Sequence, residues 1–177
     1  AVIDHPQRAP DWYPNEHPPA PSIVTDGKEG TRACGSCHLM SGIGHPESSD
    51  LTGLTAEYMM QQLRDFKAGT RIDPTRMNGI AKTLTDAEMK EASDYSAQLP
   101  RIPSTKVVEA AMVPKTFLGN GRMRFVEPGG EMEPIGNRII TVPEDVERTR
   151  LRDPYGSTMI AYVPPGSIAK GKELAET

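Results

Sequence analysis

The sequence predicts a mainly α-helical N-terminal domain that is followed by a C-terminal segment with short β-strands. Two observations support this division. Before residue 103, apolar residues recur at helical spacing between capping signals, whereas after it short β-type runs alternate with Gly- and Pro-rich turns. Sixteen glycines and 17 prolines among 177 residues, with only 36% apolar residues, also predict many loops and a small core.

Capping residues define two helices of the N-terminal domain. One is predicted at residues 56–68, between an N-capping Thr55 and a C-capping Gly69. The other begins at the capping box Thr85-Asp86-Ala87-Glu88 and ends before Pro100, because proline cannot continue a helix. Both carry apolar residues along one face, so we expect them to pack together.

Shorter elements are predicted before the first of these helices. The segment Asp26-Gly27-Lys28-Glu29-Gly30 is expected to open a short helix, since Asp26 and Glu29 have capping-box spacing. Residues 1–22 are rich in proline and contain both Trp12 and Tyr13, which favours an extended strap that lies over the N-terminal fold. We expect the strap's two histidines, His5 and His17, to be solvated.

Residues 104–177 are predicted to form a β-containing extension or linker. A short helical turn is expected within residues 143–151, and a helix is expected to begin at Ser167. The β-type runs lie at residues 106–108, 116–118, 123–126, 138–142 and 158–163.

The charge of the chain argues against one class of partner, and its hydropathy argues against a membrane span. The formal net charge of −4 argues against a nucleic-acid-binding protein, which would carry a basic excess. No apolar stretch approaches the ~18 residues that a membrane-spanning helix needs, so no span is predicted.

Both cysteines lie in the pentapeptide Cys34-Gly35-Ser36-Cys37-His38, the C-x-x-C-H pattern of covalent haem attachment. Two thiols at this spacing can each form a thioether with the porphyrin, while the adjacent imidazole ligates the iron. A disulfide, a thioredoxin-like redox pair and half of a zinc site are weaker alternatives. A zinc site would need a second pair of ligands, which the sequence does not provide. A thioredoxin-like site would need a βαβ context, which the flanking sequence does not supply.

Residues 26–99 resemble a class I c-type cytochrome, and we assign residues 23–103 to such a domain. The resemblance rests on ordered features: the segment at 26–30, the haem motif at 34–38, the loop Gly42-Ile43-Gly44-His45-Pro46, the helical segment 58–71 and the final capped helix from Thr85. It implies the class I helical fold around one covalent haem c. Cys34 and Cys37 would hold this haem, and His38 would be the proximal iron ligand.

The resemblance also implies a distal ligand after the helical segment 58–71, and we expect Met77 in this role. Met77 lies in a stretch rich in helix breakers, residues 72–79, where an irregular backbone can carry a thioether to the far side of the iron. His45 is the chief alternative distal ligand. Three other methionines are expected to pack in the core: Met40, Met59 and Met60.

Further haem contacts follow from the same resemblance. In this family a loop proline's carbonyl accepts the second N–H of the proximal histidine, and Pro46 is the matching residue. Arg71 is a candidate for neutralising a haem propionate, with a solvated surface arginine as the alternative. The residues expected to touch the porphyrin from the preceding helix are Tyr58, Leu63 and Phe66, together with Met59.

These features predict an electron carrier and not an enzyme, because a His/Met pair fills both axial positions of the iron. The partners would be other redox proteins of a respiratory or photosynthetic-type chain. Haem attachment after export predicts a periplasmic location. The alternatives are a haem-based sensor or peroxidase-like enzyme with a labile distal ligand, and an interaction subunit of a larger oxidoreductase.

The segment Lys170-Gly171-Lys172-Glu173-Leu174 echoes residues 26–30, which precede the haem motif. We therefore expect the chain to correspond to the N-terminal haem domain and connecting segment of a di-haem cytochrome c, with a second haem domain after residue 177.

Overall fold

The computed structural model describes residues 7–44, 48–119, 123–151, 153, 156 and 158–177. The chain divides into two units, Ala1–Ile102 and Pro103–Thr177. The first unit is helical and the second contains the described β-strands, so the change in character predicted near residue 103 coincides with the division. No helix within the described ranges is long and apolar enough to cross a membrane.

Five helices form the regular structure in the described part of the first unit. Two are single turns near the N-terminus, and three longer ones follow the haem-attachment motif. They are α1 (Ser22–Thr25), α2 (Gly35–His38), α3 (Ala56–Ala68), α4 (Met77–Thr83) and α5 (Asp86–Ala97).

The caps predicted for α3 and α5 are confirmed. The Thr55 hydroxyl accepts a hydrogen bond from the backbone N–H of Tyr58, and Gly69 ends α3 with a φ of 81°. At α5, the Thr85 hydroxyl and the Glu88 carboxylate satisfy each other's backbone N–H groups. These caps depend on local sequence alone, which explains why sequence analysis locates them.

The prediction that a short helix opens at Asp26 is wrong. Helix α1 instead ends there, and a turn follows in which Gly27 and Gly30 have φ values of 68° and 73°. The turn brings the Thr31 carbonyl so close to Gly27 that a Cβ there would lie 2.4 Å from it. This backbone conformation, available to glycine, overrides the capping-box spacing.

The core of the first unit joins its N-terminal turn to its last helix. Ile23 and Val24 of α1 lie in one buried cluster with Met89 and Tyr95 of α5, and Ala9 of the N-terminal strap lies in the same cluster. The strap is thus part of the core. Its backbone is tied to α1 by a 2.7 Å hydrogen bond from Ala9 N to Thr25 O.

The expectation that His17 is solvated is wrong. Only 7% of its side chain is exposed, and its Nε2 lies 3.1 Å from the Asp11 carboxylate. Its Nδ1 lies 2.8 Å from the Pro18 carbonyl and 3.3 Å from the Tyr95 hydroxyl. Helix α5, distant in sequence, covers this histidine. His5 lies outside the described residues.

Two further polar contacts connect α5 to the N-terminal half of the unit. The Tyr95 hydroxyl donates a 2.7 Å hydrogen bond to the carbonyl of Met40, two residues beyond the haem motif. Burial raises the pKa of Tyr95 to about 12, so the hydroxyl remains a donor at neutral pH. Lys28 donates to both carboxylate oxygens of Glu88, at 2.8 and 2.7 Å.

The second unit contains short strands and two helices. The strands are β1 (Thr105–Glu109), β2 (Met112–Pro114), β3 (Thr116–Leu118), β4 (Arg124–Val126), β5 (Met132–Pro134), β6 (Ile140–Pro143) and β7 (Met159–Val163). The helices are α6 (Val146–Arg150) and α7 (Ser167–Ala175). Five strands match predicted β-type runs, whereas β2 and β5 were missed because each has only three residues and contains a proline.

A three-stranded sheet has the order β1-β7-β6, in which β7 pairs in parallel with β1 and antiparallel with β6. Two separate antiparallel ladders join β2 to β5 and β3 to β4. Alternate residues of β7 are buried, as expected for a strand with one core-facing side. The small core of the unit consists of Val113, Ile135, Ile140 and Val142.

The Lys28–Glu88 ion pair predicts a pH-dependent stability of the protein. The Lys28 ammonium, and then the Thr85 backbone N–H, lower the pKa of Glu88 from 4.5 to about 2. Glu88 therefore stabilises the fold above pH 4.5, and this contribution is lost as the pH falls from 4.5 towards 2. We expect Glu88→Gln, which keeps a capping side chain, to reduce the unfolding free energy by ~1 kcal/mol at pH 7.

Urea unfolding at several pH values measures this effect. The difference between wild type and Glu88→Gln should shrink steadily below pH 4.5. Glu91→Gln on the same helix is the matched control, because Glu91 is exposed and makes no contact with Lys28 in the described structure. Equal pH profiles for the two variants would contradict the assignment.

Candidate functional site

The haem-attachment motif forms a single helical turn. Cys34 is the N-cap of α2, and its carbonyl accepts hydrogen bonds from the backbone N–H groups of Cys37 and His38, at 3.2 and 3.0 Å. Both cysteines are partly buried free thiols. The turn thus presents two reduced sulfurs and one imidazole from five consecutive residues.

A hydrogen bond to the backbone fixes the orientation of the His38 ring. Its Nδ1 lies 2.9 Å from the backbone carbonyl oxygen of Ser49. When Nδ1 carries the proton, Nε2 has a free lone pair that can bind a metal ion. The sequence analysis expects the Pro46 carbonyl in this role. Pro46 lies outside the described residues, and among those described Ser49 makes the contact.

The loop after the motif folds back onto it. The backbone N–H of Gly44 donates to the His38 carbonyl at 2.9 Å, and the Ser48 hydroxyl donates to the Cys37 carbonyl at 2.8 Å. Gly44 has a φ of 65°, and a Cβ there would lie 2.4 Å from the Ser48 carbonyl and 2.7 Å from the Ser49 carbonyl. Glycine at this position therefore lets the Ser49 carbonyl reach the histidine.

Burial sets the protonation states of the motif. Desolvation raises the pKa of Cys34 to about 11, with further contributions from the charges of Cys37 and Glu88. A thioredoxin-like nucleophile needs the opposite shift, so the site does not favour that alternative. Desolvation also lowers the pKa of His38, although the Ser49 hydrogen bond opposes it. The ring is therefore neutral near pH 7, as a metal ligand requires.

The strap and α1 pack closely against the motif. A Cβ on Gly35 would lie 2.6 Å from Met40 Sδ and 2.9 Å from the Val24 carbonyl, so this position in the C-x-x-C spacer has no room for a side chain. The Ala33 backbone N–H donates to the Gln7 carbonyl at 2.8 Å. The strap therefore braces the residues just before Cys34.

Met77 does not lie in an irregular loop as predicted, but is the first residue of α4. The turn before it is locked by two polar side chains. The Asp73 carboxylate accepts hydrogen bonds from the backbone N–H groups of residues 75–77, at 3.1 to 3.3 Å. The Asn78 amide donates to the carbonyls of Phe66 and Arg71, at 2.6 and 2.9 Å. The roles of Asp73 and Asn78 were not predicted, although aspartate followed by proline is a turn signal.

One contact links this turn to the motif. Arg76, which precedes Met77 in the chain, places its Nη1 atom 3.7 Å from Cys37 Sγ. The turn that leads into α4 therefore lies beside the second cysteine. Met77 itself is partly buried.

The predicted contact residues of α3 have different environments. Met59 and Phe66 are buried, and Leu63 packs against the main core cluster. Tyr58 is 49% exposed. Arg71 stacks on Phe66, with its guanidinium carbon 4.7 Å from the ring centroid, and donates a hydrogen bond to the Gln62 side chain. The structure thus brings Phe66 and Arg71 together but leaves Tyr58 on a more open side.

The other methionines named above lie in or against the core. Met40 and Met59 are each 6% exposed, as expected for core methionines, and Met60 packs against the main core cluster. His45 lies outside the described residues.

No protein-family model matches the chain. Cytochrome c-552 of Acidithiobacillus ferridurans is 42% identical over 67 residues, which are 38% of this chain and 29% of that protein. Cytochrome c4 of Pseudomonas aeruginosa is 35% identical over 89 residues, 42% of this chain and 44% of that protein. The thiosulfate dehydrogenase electron acceptor of Thiomonas intermedia is 35% identical over 69 residues, 38% of this chain and 31% of that protein.

Among solved structures, cytochrome c4 of Acidithiobacillus ferrooxidans is 38% identical, with 44% of this chain and 46% of that chain covered and a TM-score of 0.42. The matched part of the chain spans less than half the length of these relatives. The names of these sequence relatives are consistent with a class I c-type cytochrome domain in the matched part of the chain.

The donor set fits a covalently bound haem. Both thiols of the motif are reduced and lie on one turn, and the adjacent imidazole is held through Nδ1 so that Nε2 remains available. Among the residues that the structure describes, no cluster of three or more His, Cys, Asp or Glu side chains could hold a separate metal ion.

The fold of the loop predicts a specific effect of Gly44→Ala. The new Cβ would meet the carbonyls that approach His38, and it would add the ~1–2 kcal/mol cost of a left-handed backbone for an L-residue. We expect a destabilisation well above 2 kcal/mol, together with a changed visible spectrum of the haem-loaded protein. Chemical denaturation and absorption spectroscopy measure the two effects.

Gly69→Ala is the matched control. Gly69 has a φ of 81°, but nothing lies within 4 Å of its Cβ position, so only the backbone cost applies. Equal destabilisation of the two variants, with an unchanged spectrum for Gly44→Ala, would show that the loop does not need this close approach.

Proposed function

We propose that the N-terminal unit carries one haem c and transfers electrons in the periplasm. Cys34 and Cys37 hold the haem covalently, His38 is the proximal iron ligand and Met77 is the distal ligand. The observation that best supports this proposal is the 2.9 Å contact between His38 Nδ1 and the Ser49 carbonyl. It fixes the orientation of the ring and leaves Nε2 for the iron.

The chain's own residues do the positioning. The α2 turn keeps the two sulfurs and the imidazole in a fixed relation, and the strap and α1 exclude water from its inner side. The haem, when bound, supplies a one-electron Fe(III)/Fe(II) couple. A partly buried histidine whose ring is fixed by a hydrogen bond needs little rearrangement between the two oxidation states, which keeps reorganisation small.

Met77 is the best supported distal ligand. The Asp73 and Asn78 hydrogen bonds fix the backbone around it, and the adjacent Arg76 reaches Cys37. A thioether at this position stabilises ferrous iron and so raises the reduction potential relative to a second histidine. It also occupies the coordination position that an enzyme or gas sensor would leave open.

The same proposal assigns roles to residues around the haem. Phe66 and Leu63 would provide an apolar surface towards the porphyrin, with Tyr58 at its exposed margin. Arg71, stacked on Phe66, would offer its charge to a propionate. The backbone carbonyl of Ser49 takes the part that the sequence analysis expects of Pro46.

The partners would be other redox proteins, as in a respiratory or photosynthetic-type chain. One relative is named as an electron acceptor of thiosulfate dehydrogenase, which supports a role in passing electrons between proteins. A periplasmic location follows from the attachment chemistry, since C-x-x-C-H thioethers form after export. The proposed role is that of a carrier without catalysis of its own.

Absorption spectra of the oxidised and reduced protein test this function. We expect a low-spin c-type spectrum, a far-red charge-transfer band in the oxidised form and no response of the reduced form to carbon monoxide. A high-spin spectrum that shifts with carbon monoxide would instead favour the sensor or enzyme alternative.

Replacing Met77 with leucine tests the distal ligand, because leucine keeps the volume but removes the sulfur. We expect loss of the far-red band, a lower reduction potential and binding of carbon monoxide by the reduced protein. Met89→Leu is the matched control, since Met89 is a fully buried core methionine of α5. A retained band in Met77→Leu would exclude Met77 as the ligand.

A further inference from the structure

We propose that Arg76 raises the reduction potential of the haem by holding a positive charge at the sulfur of Cys37. This inference rests on the proposed function, since it concerns the haem bound through that cysteine. Arg76 would act through Cys37 and the macrocycle, without ligating the iron.

The geometry that supports this role is a direct contact. The Arg76 Nη1 atom lies 3.7 Å from Cys37 Sγ, within the range of an N–H to sulfur hydrogen bond. Arg76 is 39 residues away from Cys37 in sequence, so the contact depends on the tertiary fold. Once the thioether has formed, this sulfur is bonded to the porphyrin periphery. A guanidinium in contact with it then lies at the edge of the macrocycle.

The backbone that carries Arg76 is held in place before any haem contact is made. Its own N–H donates to the Asp73 carboxylate at 3.3 Å, and the N–H groups of Thr75 and Met77 donate to the same carboxylate at 3.1 Å. The Asn78 N–H donates to the Asp73 carbonyl at 3.1 Å. A fixed backbone reduces the entropy cost of keeping the charge near the sulfur.

Electrostatics fixes the sign of the effect. The oxidised haem carries one more positive charge than the reduced haem, so a nearby cation destabilises the oxidised form. The reduction potential therefore rises when the cation is present. Arg76 is exposed and Cys37 is partly buried, so salt in the surrounding solvent can screen the interaction.

Other arginines of the first unit are engaged differently. Arg71 stacks on Phe66 and bonds Gln62, and Arg64 pairs with Asp86 at 3.9 Å. Among the described contacts, that of Arg76 is the one that brings a cation to a haem-attaching sulfur. This distinguishes a specific effect of Arg76 from a general effect of net charge.

The experiment is a spectroelectrochemical titration of the haem-loaded full chain. Arg76→Gln should shift the equilibrium towards the oxidised form about fivefold, equivalent to a potential lower by ~40 mV for a one-electron couple. Arg76→Lys, which keeps the charge, should recover at least half of this shift. Arg64→Gln removes the same charge from α3 and should change the equilibrium less than twofold.

Two further readouts identify the cause. The Arg76→Gln shift should diminish as ionic strength increases, because salt screens charge. The absorption spectra of both oxidation states, including the far-red band, should match those of the wild type, because the ligands are unchanged.

The inference is overturned if Arg76→Gln and Arg64→Gln shift the potential equally, or if Arg76→Lys behaves like Arg76→Gln. Loss of the far-red band in Arg76→Gln would also overturn it, since Arg76 would then act by holding Met77 in place. Failure of the proposed function is distinguishable, because the wild-type protein would then lack a low-spin c-type spectrum before any variant is compared.

Discussion

The hydrogen bond between His38 Nδ1 and the Ser49 carbonyl is the constraint on which the site depends. It requires the chain to leave α2, reverse within about ten residues and return its backbone to the imidazole. Gly44 permits this reversal of the chain. The Ser48 hydroxyl donates a hydrogen bond to the Cys37 carbonyl and so connects the returning segment to the motif. Because this hydrogen bond already orients the ring, binding of a metal ion does not include the entropy cost of ordering it.

The rest of the first unit also supports this turn. The Tyr95 hydroxyl binds the carbonyl of Met40, so the last helix is tied to the residues that follow the motif. The strap also supports the motif, through hydrogen bonds of Gln7 and Ala9. Lys28, in the turn after α1, forms an ion pair with Glu88 of α5. The N-terminal and C-terminal helices of the unit therefore stabilise the motif together, as one packed body.

The turn before α4 has a different construction. It is ordered by side chains, with Asp73 and Asn78 satisfying backbone groups around Met77 and Arg76. In the second unit the core is smaller, and several apolar side chains of β3 and α7 are exposed, including Leu118 and Leu174. Three-residue strands that contain proline carry weak patterns, which explains why β2 and β5 escaped prediction.

Sequence by itself determined the features that depend on neighbouring residues. The C-x-x-C-H motif, the caps at Thr55 and Thr85 and the change near residue 103 were all readable, because a cap or an attachment motif is complete within a few positions. The distal ligand and the porphyrin contacts stay predictions from family resemblance.

Contacts between residues far apart in sequence depend on the tertiary fold. It assigned a carbonyl of Ser49 to His38, buried His17 beneath α5 and placed Arg76 at Cys37. A backbone carbonyl has no signature in the sequence, since every residue carries one. The carbonyl, ring or charge that contacts the motif is determined by how the loops fold back. This folding depends on the packing of the whole unit.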